Sequence, residues 1–163
     1  MQFEPLRLSI YTWFSETSGI TTIWAEQAGP KPSRPFATLK LITGAVKMGG
    51  QDNLRVSSDG RFVLNGPRSI TLRAQVFGKD ALEILTTVRD SLDDPDVIDA
   101  LDAEGLAVMD DGEPSDITEA LETILEQRAV LDVKFEFNVE RATKVTDVNK
   151  VGINGQNYVI KGE

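Results

Sequence analysis

The sequence contains no cysteine and no histidine, and these two absences together remove most familiar catalytic and metal chemistry. Without cysteine there is no disulfide, no thiolate zinc site and no cysteine nucleophile. Without histidine the usual general base, the Ser-His-Asp triad and every imidazole metal site are gone as well. Long apolar runs are also missing: no stretch of about eighteen residues is available to span a bilayer. The start, Met1 to Arg7, lacks the basic-then-apolar order of a signal peptide. The expectation is a soluble protein made in the cytoplasm, with no membrane partner. Basic residues are scarce too, 17 Lys and Arg against 26 Asp and Glu, for a net charge of −9. Such a field repels nucleic-acid phosphates rather than gripping them. What remains is a chain of 163 residues, enough for one domain whose core needs neither staple nor metal.

Periodicity supplies the elements. Leu6, Ile10, Trp13 and Phe14 are spaced three and four apart, which predicts an amphipathic helix ending near Ser18-Gly19. Ile20 to Trp24 has the β-branched content of a short strand. An elbow with Pro30, Pro32 and Pro35 follows; proline fixes extended angles there. From Phe36 to Thr43 the apolar Ala37, Leu39 and Leu41 alternate with polar neighbours, the period of a half-buried strand. Gly44 to Gly60 reads as a long, mobile hairpin loop. Gly66-Pro67 then opens a second strand, 68–77, with Ile70, Leu72, Ala74 and Val76 on one face, expected to pair with the first.

The second half is more helical. Asp80 and Glu83 have capping-box spacing ahead of the stripe Ala81, Leu82, Leu85, Val88 and Leu92, predicting a helix over 79–92. Asp94-Pro95 is a helix start for 95–104, closed by Gly105. A strand is expected at 106–109, an acidic turn at Asp110 to Glu113, and a brief helix near Ile117 to Glu122 from a second capping-box spacing, Asp116 and Glu119. The clearest strand covers 125–139, where Leu131, Val133, Phe135, Phe137 and Val139 alternate with polar residues. Beyond it, spaced valines and a hairpin signal at Gly152 to Ile160 suggest a tail that docks elsewhere. The expected architecture is α+β: a mostly antiparallel four-stranded sheet flanked by helices, with a long hairpin loop. Residues 1–140 form the domain, and 141–163 an extended C-terminal arm with a small hairpin.

Candidate chemistry is thin. The acidic clusters Asp93-Asp94-Asp96, Asp99-Asp102-Glu104 and Asp110-Asp111-Glu113 lack the ligand spacing and terminal glutamate of a calcium loop. Gly44, Gly49 and Gly50 match neither phosphate-binding glycine motif. No metal or cofactor is expected. A carboxylate-dependent hydrolase stays an alternative, since many acids in one sequence cannot identify a catalytic pair. Trp13 and Trp24 read as core or interface anchors.

The order of blocks is informative where single residues are not. Ile23-Trp24-Ala25, Pro30, Arg34-Pro35-Phe36-Ala37-Thr38-Leu39-Lys40-Leu41, then Ser69 to Gly78 and Ala81-Leu82 resemble the phage neck terminator, or tail terminator-like, family of tailed bacteriophages. Leu92 to Ala100, Ala103 to Val108, Asp116-Ile117-Thr118 and Glu126 to Phe135 are similar to that family's later blocks in the same order. The resemblance implies a non-enzymatic virion part. It would be a ring, typically a homohexamer, at the head-proximal end of the tail, meeting the tail tube protein and the neck or connector (head completion) protein. In a contractile phage it would also meet the tail sheath. Genomic DNA would pass through the lumen without specific binding, with Asp110, Asp111, Asp132 and Glu136 as candidate lining. A tail completion or baseplate adaptor role is the alternative within the virion.

A ring formed head to tail needs two different complementary surfaces on each subunit. The residues expected at them are Lys31 and Arg34 of the elbow, Gly49, Gly50 and Asp52 of the loop, Arg68 and Arg73 of the second strand, and Val145, Val148, Ile153 and Tyr158 of the tail.

Overall fold

A computed structural model describes residues 3–58, 61–121, 124–144, 150–153 and 156–159. The chain runs α1 (Phe3–Ser18), β1 (Thr21–Trp24), β2 (Phe36–Leu41), β3 (Val46–Lys47), β4 (Asn53–Val56), β5 (Arg61–Phe77) and α2 (Ala81–Asp90). A 3-10 turn (Ser91–Asp93) leads to α3 (Pro95–Ala103), β6 (Leu106–Asp110), β7 (Ser115–Asp116), β8 (Glu119–Leu121) and β9 (Ile124–Glu126). β10 (Arg128–Lys144) follows, and β11 (Lys150–Ile153) and β12 (Gln156–Val159) close the chain.

The sheet is larger than the four strands expected. Eight strands join it, in the order β1-β2-β5-β10-β6, with β3 and β4 also paired to β5 and β7 to β10. It is α+β and mostly antiparallel, but β1 and β2 run parallel, because the chain crosses back through the proline elbow before β2 starts. Two further hairpins, β8-β9 and β11-β12, stand apart from it. The expected pairing of the two early strands holds, from Phe36↔Phe77 to Leu41↔Leu72.

Alternation in β5 and β10 builds the core. Ile70, Leu72, Ala74 and Val76 are fully buried with Leu131, Val133 and Phe135 beneath Ile10, Phe14, Leu85 and Val88 of the helices. Trp13 ties the layers together. Its ring meets Phe135 edge-on at 5.9 Å, while its indole N–H donates to Ser91 Oγ at 3.0 Å, so the apolar body is buried and the polar tip satisfied.

The segment expected as a loop, 44–60, contains two short paired strands. β3 and β4 lie along β5, which starts at Arg61, not at Gly66-Pro67. Pro67 has no N–H to give, yet its carbonyl accepts from Met48 N–H at 3.2 Å, so the proline is accommodated inside the strand. β5 and β10 pair without a register shift from Arg61↔Lys144 to Arg128↔Phe77. The result is a three-stranded wing, β4 with the far ends of β5 and β10, running past the helices.

Three local expectations are corrected. The brief helix expected near Ile117–Glu122 is absent over its described residues, 117–121: Asp116 accepts from Thr118 N–H at 2.8 Å and from its hydroxyl, closing a tight turn into the β8 strand. Asp80 precedes α2, but its backbone is left-handed (φ 62°) and its side chain makes no capping bond. The strand expected at 125–139 runs from Arg128 to Lys144, since Leu125 belongs to β9. Asp94 caps as expected, accepting from Asp96 N–H at 3.1 Å with Pro95 in the first turn.

Candidate interface surfaces

The elbow is closed on the chain's own residues. Phe36 opens β2 and Phe77 ends β5; their antiparallel pairing stacks the two rings 4.9 Å apart, 9° from parallel. Lys31 Nζ lies 5.5 and 5.3 Å from the two ring centres, and the Arg128 guanidinium lies 4.6 Å from that of Phe77. Such cation–ring contacts hold the turn against the sheet. Arg34 bonds Glu126 of β9, and Lys31 lies 3.9 Å from the same carboxylate. Gly78 makes room for this packing: it takes φ +118°, and a Cβ there would lie 3.1 Å from Arg34 Cβ and Pro35 Cα. The structure thus brings the predicted Lys31 and Arg34 together, on a carboxylate of the same subunit. Glu126, Phe77 and Arg128 were not among the expected residues; the register of β2 on β5 is the signal that could have found them.

A second predicted group meets at the root of the wing. Asp52 accepts from Arg68 through both carboxylate oxygens, at 2.9 and 2.7 Å, and Lys47 Nζ stands 3.7 Å away. Gly66 leaves the slot for this carboxylate, since a Cβ at that position would fall 2.1 Å from Asp52 Oδ1. The Arg68 hydrogen bonds, aided by the Arg68 and Lys47 charges, hold the Asp52 carboxyl below the ordinary aspartate value of 3.8. The same pair raises the pKa of Arg68. Gly49 and Gly50 form the exposed bend between β3 and β4.

Arg73 lies on the sheet face away from the helices, where it donates to both oxygens of Asp132 at 2.8 and 2.6 Å. By register Glu136 shares that face with Asp132. Asp110 of β6 is paired with Lys134, and Asp111 stands 3.6 Å from Arg89. Val145 and Val148 lie outside the described residues. Ile153 and Tyr158 belong to the β11-β12 backbone ladder, paired with Gln156 and Val151.

The surface that sequence reasoning missed is the wing itself. Cross-strand partners point to one face, so the row that buries Ile70 and Leu72 continues outward past Arg68 as Gly66, Leu64 and Phe62, with Leu54 and Val56 of β4 beside it. Leu54, Val56 and Phe62 are 60%, 63% and 37% exposed. On the opposite face Arg55 bridges Glu140 at 3.0 Å.

No group of three or more metal-ligating side chains comes together among the described residues. Asp52 and Asp116 are both held below the usual aspartate value, the reverse of what a protonated general acid requires. No helix among the described residues is long and apolar enough to cross a membrane.

The described residues thus form an α+β sheet whose charged clusters are closed on one another and whose outer end leaves an apolar row exposed. The family model for phage neck terminator protein matches residues 5–162, nearly the whole chain, and the chain belongs to that family. The family places it in a structural, tail-related role, as a virion component of the neck, working with other phage tail or head proteins. A search of curated proteins found no match.

Proposed function

We propose that the protein forms a homo-oligomeric ring, a hexamer, at the head-proximal end of the phage tail, where it terminates the tail tube and offers the docking face for the head connector. The carrying observation is the wing: a soluble subunit rarely leaves an apolar row of this kind uncovered unless another surface meets it, and the chain belongs to a family of neck proteins. In a phage with a contractile tail the outer face of the ring also holds the last sheath disc. The polar sheet face bearing Asp132 and Glu136 faces the DNA channel; Arg73 pairs with Asp132 there, so the lining is of mixed charge.

The test is a phage lacking the gene for this chain. Electron microscopy of the lysate is expected to show filled heads apart from tails of irregular length. Normal virions, or immunolabel for the protein at the distal end of the tail, would overturn the proposal in favour of a baseplate adaptor.

A further inference from the structure

On the helical side of the molecule, α1 and α3 leave a cleft of about 530 Å³ between them. Leu8, Val97 and Leu101 give it an apolar floor, and Glu16, Asp96 and Glu104 an acidic rim; no basic residue lines it. Leu8 is 66% exposed there, so nothing among the described residues fills the cleft. The wing has the opposite character. Its apolar row, Leu54, Val56, Phe62 and Leu64, includes Arg141 directly across from Leu64 and, among the described residues, no acid beyond the Asp52 root. The described residues of the wing carry Arg55, Arg61, Arg141 and Lys144 against Glu140, a net positive element in a chain of charge −9.

We propose that the wing of one copy docks into the α1–α3 cleft of the next. This rests on the ring reading and supplies its two unlike surfaces. Size agrees: Leu54 to Val56 spans about 7 Å along the strand and the neighbouring row lies about 5 Å across. That patch fits within the roughly 14 Å length of a nine-residue helix such as α3. Charge agrees as well. Subunits of like net charge repel, so a specific contact between them needs a local reversal of sign; the positive wing and acidic rim provide it. The contact is heterologous, each copy giving a wing and receiving one, and it closes into a ring when the rotation between copies closes.

Because the chain has no cysteine, the contact can be trapped on a clean background. Leu54→Cys and Ala100→Cys are placed in separate full-length subunits, both at exposed positions, and the two are mixed and treated with a short bismaleimide. A covalent dimer is expected from the mixture and from neither variant alone. Dimers of Leu54→Cys with itself would mean that wing meets wing, and would overturn the proposal. So would the lack of any cross-link in a mixture that native mass spectrometry shows to be a ring, which leaves the ring reading intact. A chain that stays monomeric would overturn both. As an independent arm, Glu104→Lys is expected to weaken association about tenfold or more, and Arg141→Glu in the same chain to recover part of it. No recovery, with both single variants folded, counts against the pairing.

Discussion

Glu126 shows how a single carboxylate decides the shape of the elbow. It is nearly buried, with 10% of its side chain exposed, and takes both Arg34 and Lys31 from a turn that the prolines and the Lys31 contacts with Phe36 and Phe77 also hold. Removing Arg34 leaves that carboxylate short of a partner in a sheltered place, which is where a lost hydrogen bond is felt. Because Arg34 is itself half exposed and Lys31 stays close, Arg34→Ala is expected to cost only about 1 kcal/mol. Arg55→Ala, which breaks a bridge exposed at both ends, is expected to change stability by no more than about 0.5 kcal/mol. Urea unfolding of the two variants side by side measures the difference; equal losses would deny Glu126 its special place.

At the scale of elements, the root of the wing depends on Asp52. Its carboxyl titrates below 3.8 in the folded chain and near 3.8 in the unfolded one, so its stabilisation is fully present above 3.8 and disappears as pH falls through the lower, folded value. Asp52→Asn is therefore expected to unfold at a lower temperature than the parent at neutral pH, with the gap narrowing as pH falls below 3.8. Gly66→Ala should behave alike, because its Cβ would occupy the place of the Asp52 carboxylate. A gap that is constant with pH would mean that the ion cluster does not hold the wing.

This cluster also marks the limit of what the sequence could tell. Helix stripes and the Asp94-Pro95 start were readable because they are local: capping and periodicity involve residues a few positions apart. Gly66-Pro67 was misleading for the same reason. Locally it reads as the place where a strand opens, and only the distant Asp52 carboxylate and Met48 N–H explain why a strand passes through it. Asp116 and Glu119 carry the spacing of a helix cap, but the Thr118 hydroxyl and N–H reach Asp116 first. Among the interface candidates, residue type was readable and partner was not: Arg34, Arg68 and Arg73 each find a carboxylate 92, 16 and 59 positions away.

For the whole molecule, the ion pairs within a subunit and those proposed between subunits should respond differently to salt. Arg68 and Asp52 are sheltered, with 14% and 18% of their side chains exposed, whereas the rim of the α1–α3 cleft is open to solvent. Screening acts on open charges first. Between about 0.1 and 1 M salt the ring is expected to dissociate more readily, while the melting midpoint of the isolated subunit changes little. Sedimentation velocity and calorimetry on the same samples would follow the two, and a ring indifferent to salt would speak for a contact that is apolar alone.

The unbroken ladder between β5 and β10 has a consequence for how such a chain can vary. Core and wing share one row of side chains, so the buried face of Ile70 and Leu72 dictates which way Leu64 and Phe62 turn. Adding or removing a single residue near Gly66 would leave the core seated and roll the wing over, presenting its polar side. Length changes there should be accepted only in even steps, a parity rule that the wing inherits from the core.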